Sequence, residues 1–178
     1  IGDSYGPSIS ADGRYVTFYS YASNLVAGDN NGGRDIFVHD TQTGVTTRVS
    51  VDSNGLQANL YSFRPDISAD GRYVAFESHA TDLVLNDTNG TKDIFVKDIT
   101  TGAMTRVSTS TSGAEGYIGL SDAAAISNDG RYVVFESTTS DLIGGGTNGY
   151  RHIYFKDTIS NSLSIVSTNV LYDEATQS

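Results

Sequence analysis

The sequence predicts an all-β protein: a β-propeller segment with three blades, each of them a four-stranded antiparallel sheet. A long unit recurs three times, and its Asp-Gly pair at 12–13 returns at 70–71 and 129–130, offsets of 58 and 59 residues. The composition, with eleven Tyr, seven Phe, no Trp and many Val, Ile and Thr, favours strands over helices. One four-stranded sheet has two apolar faces to bury, and radial stacking of repeated sheets buries both.

Each unit contains four short strand patterns bounded by turn residues. In the first copy we place the strands near 7–10, 14–20, 34–40 and 45–51. Asp-Gly after the first strand and Thr-Gly after the third predict tight turns, because Gly and Asp adopt positive φ at low cost.

The apolar positions of the strands predict how the blades pack. We expect Val16 with Phe18, and Ile36 with Val38, to fill the space between neighbouring sheets. The whole chain is then one propeller segment, 1–178, with blade units at about 1–58, 59–117 and 118–178.

Three segments of the unit also carry a family resemblance. They are S-x-D-G-R-Y-V-x-F, first at 10–18; D-x-N-G-x-x-D-I-F-V-x-D, first at 29–40; and T-G-x-x-T-R-V-S, first at 43–50. Together they resemble the WD40-like PD40 repeat of TolB-type propellers over essentially the whole chain. The resemblance implies a bacterial protein, often of the envelope or secreted, and a ring of about six to eight blades. It says little about function, because such propellers serve as binding platforms, enzyme-associated domains and parts of surface proteins.

Charge and composition exclude several classes of partner and site. The formal charge of −10 argues against nucleic acids and anionic membranes, since only eleven residues are Lys or Arg. No apolar stretch is long enough to span a bilayer. The absence of Cys excludes disulfides, thiolate metal sites and Cys nucleophiles. The chain begins with Ile1 and shows no signal peptide, so we expect a mature or excised fragment, extracellular or periplasmic.

The long connections of each unit emerge at the same end of the blade. The tight turns close one end, whereas the loop at about 21–33 and the crossover at about 52–64 meet at the other, because strand direction alternates. We call this second end the long-loop end, and expect local function there.

The long loops of the first two units both contain D-x-N-G-x-x-D. Alternating oxygen ligands, a Gly that lets the chain wrap and a closing carboxylate suit a hard cation such as Ca²⁺. We therefore predict two calcium sites per chain, with ligands Asp29, Asn31, Asp35 and Asp87, Asn89, Asp93. The alternative is an ordinary turn, because Asp, Asn and Gly favour turns and the pattern lacks the length and closing Glu of an EF-hand loop. The third loop has Gly146 and His152 in place of the acids and should bind no ion.

The sequence offers no catalytic signature. His39, His79 and His152 occupy unrelated positions of the unit, and G-x-S-x-G, H-E-x-x-H and P-loop patterns are absent. We therefore predict no enzyme active site. Arg14 and Asp40 recur in every unit and predict a structural ion pair, while the recurring tyrosine at position 15 predicts packing between blades.

Two functional hypotheses stay open. The first is a calcium-binding, non-catalytic module for ligand binding or cell-surface assembly, with a glycan or a peptide as its ligand. The second is a propeller domain cut from a larger bacterial hydrolase or a TolB-like envelope protein. Three blades leave uncovered faces, so we expect either head-to-tail closure with another copy of the chain or further blades in a longer chain.

Overall fold

A computed structural model of the protein describes residues 2–117, 119–144 and 149–167. These residues form twelve strands in three four-stranded antiparallel sheets, and they contain no helix. Each sheet is ordered as the chain runs, so strands that are consecutive in sequence pair in space. The predicted all-β architecture of three blades is confirmed. None of the described segments is a helix long and apolar enough to cross a membrane.

The three blades have the same strand arrangement. The first contains β1 (Ser4–Ile9), β2 (Tyr15–Ser20), β3 (Asp35–Asp40) and β4 (Val45–Arg48). The second contains β5 (Ser62–Ile67), β6 (Tyr73–Ser78), β7 (Asp93–Asp98) and β8 (Met104–Arg106). The third contains β9 (Ser121–Ile126), β10 (Tyr132–Ser137), β11 (His152–Asp157) and β12 (Leu163–Ile165).

Two strand boundaries differ from the prediction. The first strand begins at Ser4 rather than near residue 7, because the register shifts at a β-bulge and pairing with β2 continues beyond it. The chain has positive φ at this bulge in every blade, with values of 58°, 46° and 49° at Gly6, Arg64 and Ala123. The fourth strand, predicted to reach residue 51, ends at Arg48.

The predicted tight turn and ion pair are both present. Gly13 has a φ of 73°, and the Asp12 Oδ1 accepts hydrogen bonds from the Ser10 hydroxyl at 2.6 Å and the Arg14 amide at 3.0 Å. The Arg14 guanidinium in turn lies 2.8 Å from the Asp40 carboxylate and ties the start of β2 to the end of β3. The same ion pair recurs at 2.7 Å in the other blades, as Arg72–Asp98 and Arg131–Asp157.

Two hydrophobic clusters join the blades. Ile36 and Val38 are buried against the second blade, as predicted, and a second cluster joins the second blade to the third. Val16 and Phe18 do not pack against the second blade: they lie on the opposite face of the first sheet and stay half-buried. In the register of β2 and β3, Thr17 lies opposite Val38 and Tyr19 opposite Ile36. Val16 and Phe18 alternate with Thr17 and Tyr19 along β2 and therefore face the other side of the sheet.

The inner strands β1, β5 and β9 lie side by side. Asp66 on β5 links them: its Oδ1 accepts a hydrogen bond from the Ser8 hydroxyl at 2.8 Å, and its Oδ2 accepts one from the Ile126 amide at 2.9 Å. The inner edge of the three blades is therefore a continuous wall, which carries one of the two candidate sites described next.

Candidate functional site

The acidic residues predicted as calcium ligands come together with residues that the prediction did not include. In the first blade, Asp29 lies 3.4 Å from the Arg48 guanidinium at the end of β4. The Gln57 side-chain amide, from the crossover, donates hydrogen bonds to Asp29 at 2.9 Å and to Asp35 at 3.2 Å. The Ser50 hydroxyl donates to Asp35 as well. The Gln57 amide thus bridges the two carboxylates, while Arg48 pairs with Asp29 and Ser50 donates to Asp35.

The second blade repeats this arrangement with one more acid. Arg106 Nη1 lies 3.2 Å from Asp87, 3.7 Å from Asp93 and 2.7 Å from Glu115. Glu115 occupies the repeat position of Gln57, and it also accepts hydrogen bonds from the amide and hydroxyl of Thr88. A guanidinium therefore lies among three carboxylates at the place where the sequence predicts a cation.

Burial changes the acidity of these carboxyl groups. It raises the pKa of Asp87 to about 6, with the neighbouring Asp93 charge adding to the effect and Arg106 opposing it. Burial also raises the pKa of Asp93 and Asp35, although hydrogen bonds from serine hydroxyls partly offset the shift. Each loop therefore keeps its negative charge at a cost, which a nearby positive charge reduces.

The two asparagines of the motif close the loop rather than face the acids with their oxygens. The Asn31 Oδ1 accepts a hydrogen bond from the Gly33 amide at 2.8 Å, and the Asn31 Nδ2 donates to the Ala58 carbonyl at 3.0 Å. Asn89 makes the equivalent bonds and donates to Asp93 at 2.9 Å. A calcium ion would have to take these amide oxygens from the backbone and displace the arginine.

The third unit tests the relation between the arginine and the acids. Its Gly146 lies outside the described residues, while His152 lies 3.3 Å from the Ser167 hydroxyl, in the place of the acid–serine bond. Ile165 stands at the position of Arg48 and Arg106. The arginine is absent where the acids are absent, as expected of groups that neutralise each other.

Calcium binding stays a prediction. Across the described ranges, no group of three or more His, Cys, Asp or Glu side chains is arranged to hold a metal ion. The residues as they stand fit a guanidinium, and a metal would fit only after the arginine has moved away.

A second candidate site is a cleft between the blades at the long-loop end, close to the inner strands. A cation precedes the third strand of every blade and lies at this cleft. Lys92 pairs with Glu77 at 2.9 Å and contacts Asp122 of the next blade. Arg151 pairs with Asp122 at 2.9 Å and with Glu136 at 2.8 Å. At these two positions, carboxylates neutralise the cation.

Arg34, at the same position of the first blade, has aromatic neighbours instead. Its guanidinium carbon lies 4.4, 4.9 and 5.9 Å from the ring centres of Tyr21, Phe63 and Tyr19. Tyr19 and Phe63 occupy the repeat positions of Glu77 and Asp122. Among the described residues, no carboxylate lies within ion-pair distance of Arg34, and its buried Nε has no hydrogen-bond partner.

The cleft has a volume of about 460 Å³ and an excess of positive charge. Its charged lining consists of four cations and two acids, Arg34, Arg64, Lys92, Arg151, Glu77 and Asp122. Four of the eleven Lys and Arg residues therefore line one cleft of a chain whose formal charge is −10. Burial and the nearby Lys92 lower the pKa of His79, which also lines the cleft, so this histidine is neutral at pH 7.

Sequence reasoning missed this cleft. Arg34 and Lys92 lie at a variable position inside the D-x-N-G-x-x-D motif, which by itself predicts no role for them. The available signal was the exchange between units: Tyr19 of the first blade is replaced by Glu77 in the second, and Phe63 of the second blade is replaced by Asp122 in the third. Both neighbours of the cation change together, from aromatic residues around Arg34 to acidic residues around Lys92. Such a joint change indicates that the residues are in contact across blades.

Comparison with known proteins supports the fold. No family model matches the chain, and no curated protein matches it. Among solved structures, it resembles TolB from Acinetobacter baumannii, with a TM-score of 0.56 and 18% identity over 94% of this chain and 33% of that one. It also resembles the β-propeller domain of the Trilobed protease from Pyrococcus furiosus, with a TM-score of 0.53 and 14% identity over 92% of this chain and 41% of that one.

A third similar structure is an oligogalacturonate lyase in complex with manganese, with a TM-score of 0.56 and 19% identity over 92% of this chain and 41% of that one. The chain thus spans less than half of each of these three proteins. The likenesses establish a TolB-like propeller fold, and no more, because identities this low do not carry a function.

Proposed function

We propose that this chain is a non-catalytic propeller segment that binds a carboxylate-bearing ligand in the cleft between its blades. The observation that carries the proposal is Arg34, whose guanidinium is held among three aromatic rings without a carboxylate partner in the described residues. A guanidinium presents a planar set of donors that matches a carboxylate, and aromatic rings fix its orientation without using those donors. The arginine is therefore prepared for an anion from outside the molecule.

The surroundings of Arg34 support an anionic ligand. The exposed Arg64 stands on the same cleft, at the bulge of β5 where the backbone φ is positive. Lys92 and Arg151 add positive charge, which Glu77 and Asp122 only partly offset. The rings of Tyr19 and Phe63 offer an apolar wall of the kind that binds the body of a sugar or a side chain.

The proposed ligand binding agrees with the first functional hypothesis, a non-catalytic module for ligand binding or cell-surface assembly. The segment serves as a ligand-binding or assembly module of an extracellular or periplasmic protein, with the acidic loops as fixed structure. The second hypothesis, a domain of a larger hydrolase or of a TolB-like envelope protein, is compatible with the same cleft. The similarity to the β-propeller domain of the Trilobed protease supports this alternative.

Binding measurements test the proposal and distinguish the sources of the carboxylate. Calorimetric titrations with a uronic-acid oligosaccharide and its neutral analogue form one arm, and those with a short peptide and its C-terminal amide form the other. We expect binding in one arm and at least about a tenfold loss with the neutral analogue, because hydrogen bonds to a charged group contribute roughly 1.5–3 kcal/mol.

The variants Arg34→Gln and Arg151→Gln form a matched pair. The first removes the guanidinium that lacks a carboxylate partner and should weaken binding at least about tenfold. The second removes a guanidinium already paired with Asp122 and Glu136, so its effect should be much smaller. Equal loss in both variants, or binding that ignores the carboxylate, would refute the proposal.

A further inference from the structure

The same contacts recur at each junction between consecutive blades. The third blade carries the residue that would contact a following blade, and the first blade carries the residue that would contact a preceding one. At each junction a tyrosine ring lies over a glycine of the next blade, so closely that a Cβ there would lie 2.2 or 2.1 Å from a ring carbon: Tyr15 over Gly71 and Tyr73 over Gly130. The next tyrosine of the series is Tyr132 on the third blade. The preceding glycine is Gly13 on the first blade, which has open space where a Cβ would be.

A backbone hydrogen bond also recurs at both junctions. The Ala11 amide donates to the Ala69 carbonyl at 2.9 Å, and the Ala69 amide donates to the Asn128 carbonyl at 3.1 Å. The series continues with the Asn128 amide as donor and the Ala11 carbonyl as acceptor, and neither makes such a contact within the described residues. The third blade thus offers a donor and the first blade an acceptor.

The apolar residues of the two outer faces are also complementary. Val16 and Phe18 are half-buried, whereas their counterparts Val74 and Phe76 are 0% exposed at the first junction. On the third blade, Ile153 and Phe155 are half-buried, whereas their counterparts Ile94 and Val96 are 0% and 8% exposed at the second junction. Each outer face therefore exposes side chains that the inner junctions bury.

We propose that the third blade of one copy packs on the first blade of a second copy, and that two copies close into one six-bladed ring. A second copy is the occupant that fits, because this chain itself carries both halves of the missing junction. Propellers typically have 4–8 blades, and six is the only multiple of three in that range. The contact is a continuation of an existing interface rather than a new one.

The register of the proposed junction follows from the repeat. Tyr132 covers Gly13 of the second copy, and the Asn128 amide donates to the Ala11 carbonyl. Arg151 faces Tyr5 of the second copy, because Tyr5 occupies the position of Phe63 beside Arg34. One contact of the series is missing: Ala125 has no side-chain oxygen with which to replace Ser8 or Asp66 as an acceptor.

Light scattering with two variants tests the pairing. We expect the 18.9 kDa chain to have twice that mass in solution. Val134 pairs with Phe155 and lies on the same outer face of the third blade. Val16→Asp and Val134→Asp therefore each place a charge in both junctions of the ring, so each variant alone should associate at least about tenfold more weakly. A mixture of the two keeps one junction free of substitutions, between the third blade of the Val16→Asp chain and the first blade of the Val134→Asp chain. Mixing should therefore restore a dimer, which unfolded variants could not do.

Cysteine cross-linking tests the register, because the chain has no native Cys. Ala11→Cys with Asn128→Cys should form a disulfide between two copies. Ala11→Cys with Ala69→Cys is the positive control, since it places the same contact within one chain. Thr43→Cys with Asn128→Cys is the negative control. A folded monomer, no rescue in the mixture, or cross-linking no stronger than that of the negative control would each overturn the proposal; the first outcome would favour further blades in a longer chain.

Discussion

The Nζ of Lys97 lies 2.8 Å from the backbone carbonyl oxygen of Asp52, across the junction between the first two blades. The same amine donates to the carbonyls of Val51 at 3.1 Å and Gly102 at 2.7 Å. Lys156 makes the equivalent contacts with the carbonyls of Thr109 and Ser110. A buried amine thus fixes each crossover to the blade that follows it, and burial lowers the pKa of both lysines.

Replacing this amine by an apolar group should loosen the junction. In Lys97→Met the carbonyls of Val51 and Asp52 lose their donor, so the free energy of unfolding should fall by about 1–3 kcal/mol. Lys156→Met should give a similar loss, since the contact is the same. Urea denaturation followed by circular dichroism measures both. A variant as stable as the wild type would show that water replaces the amine at no cost.

The ion pair of the second blade predicts an acid-sensitive step. The hydrogen bonds from Arg72 lower the pKa of Asp98 from 3.8 to about 2. The folded-state pKa is below the unfolded value, so this stabilisation is present above pH 4 and is lost as the pH falls toward 2. Arg72 is 41% exposed, and solvent screening therefore limits the loss to about 1 kcal/mol.

The variant Asp98→Asn isolates this contribution. Its side-chain amide does not titrate, so its free energy of unfolding should change less between pH 4 and pH 2 than that of the wild type. Thermal melts at several pH values measure the slope, and Asp70→Asn, which lies in the neighbouring turn without the bidentate arginine, serves as a comparison. Identical slopes for Asp98→Asn and the wild type would contradict the assignment.

The fold and its turns could be predicted from the sequence because the repeated residues that form them make their contacts within a single blade. Asp12 and Gly13 define a turn locally, and Arg14 with Asp40 recurs at constant spacing. The bulge could not be predicted, because neither Arg64 nor Ala123 favours a positive φ by residue type. The pairing of neighbouring strands imposes that φ.

The candidate sites depended on contacts between distant segments. Arg106 follows Asp93 by thirteen residues and belongs to another strand, so the acidic motif alone resembled an ion site. The loss of both acids and arginine in the third unit was the one sequence signal for their pairing. Arg34 was harder still, because its environment includes Phe63 on the next blade, and strand patterns do not show which side chains meet across a junction.

The calcium hypothesis and the arginine arrangement predict opposite results for the acidic loops. If D-x-N-G-x-x-D binds calcium, two ions should bind to each wild-type chain, and a chelator should lower the melting temperature. If Arg106 already neutralises Asp87, Asp93 and Glu115, calcium should have little effect on the wild type. We expect the second result, because a guanidinium lies 2.7 Å from Glu115 and 3.2 Å from Asp87.

Removing the arginine should then create a response to calcium. In Arg106→Gln the three carboxylates lose their neutralising charge, so calcium at about 100 times its dissociation constant should restore about 2.7 kcal/mol. Arg48→Gln is the matched control: its loop has Gln57 in place of the third acid, and its response should be smaller. The response of Arg106→Gln should also weaken below pH 6, because protons compete for Asp87, whose pKa is about 6 in the wild type. Calorimetry with calcium or with chelator measures the stability of all three proteins. If the wild type binds two ions and gains stability, the calcium sites would be established and the arginine would have to move away from the carboxylates.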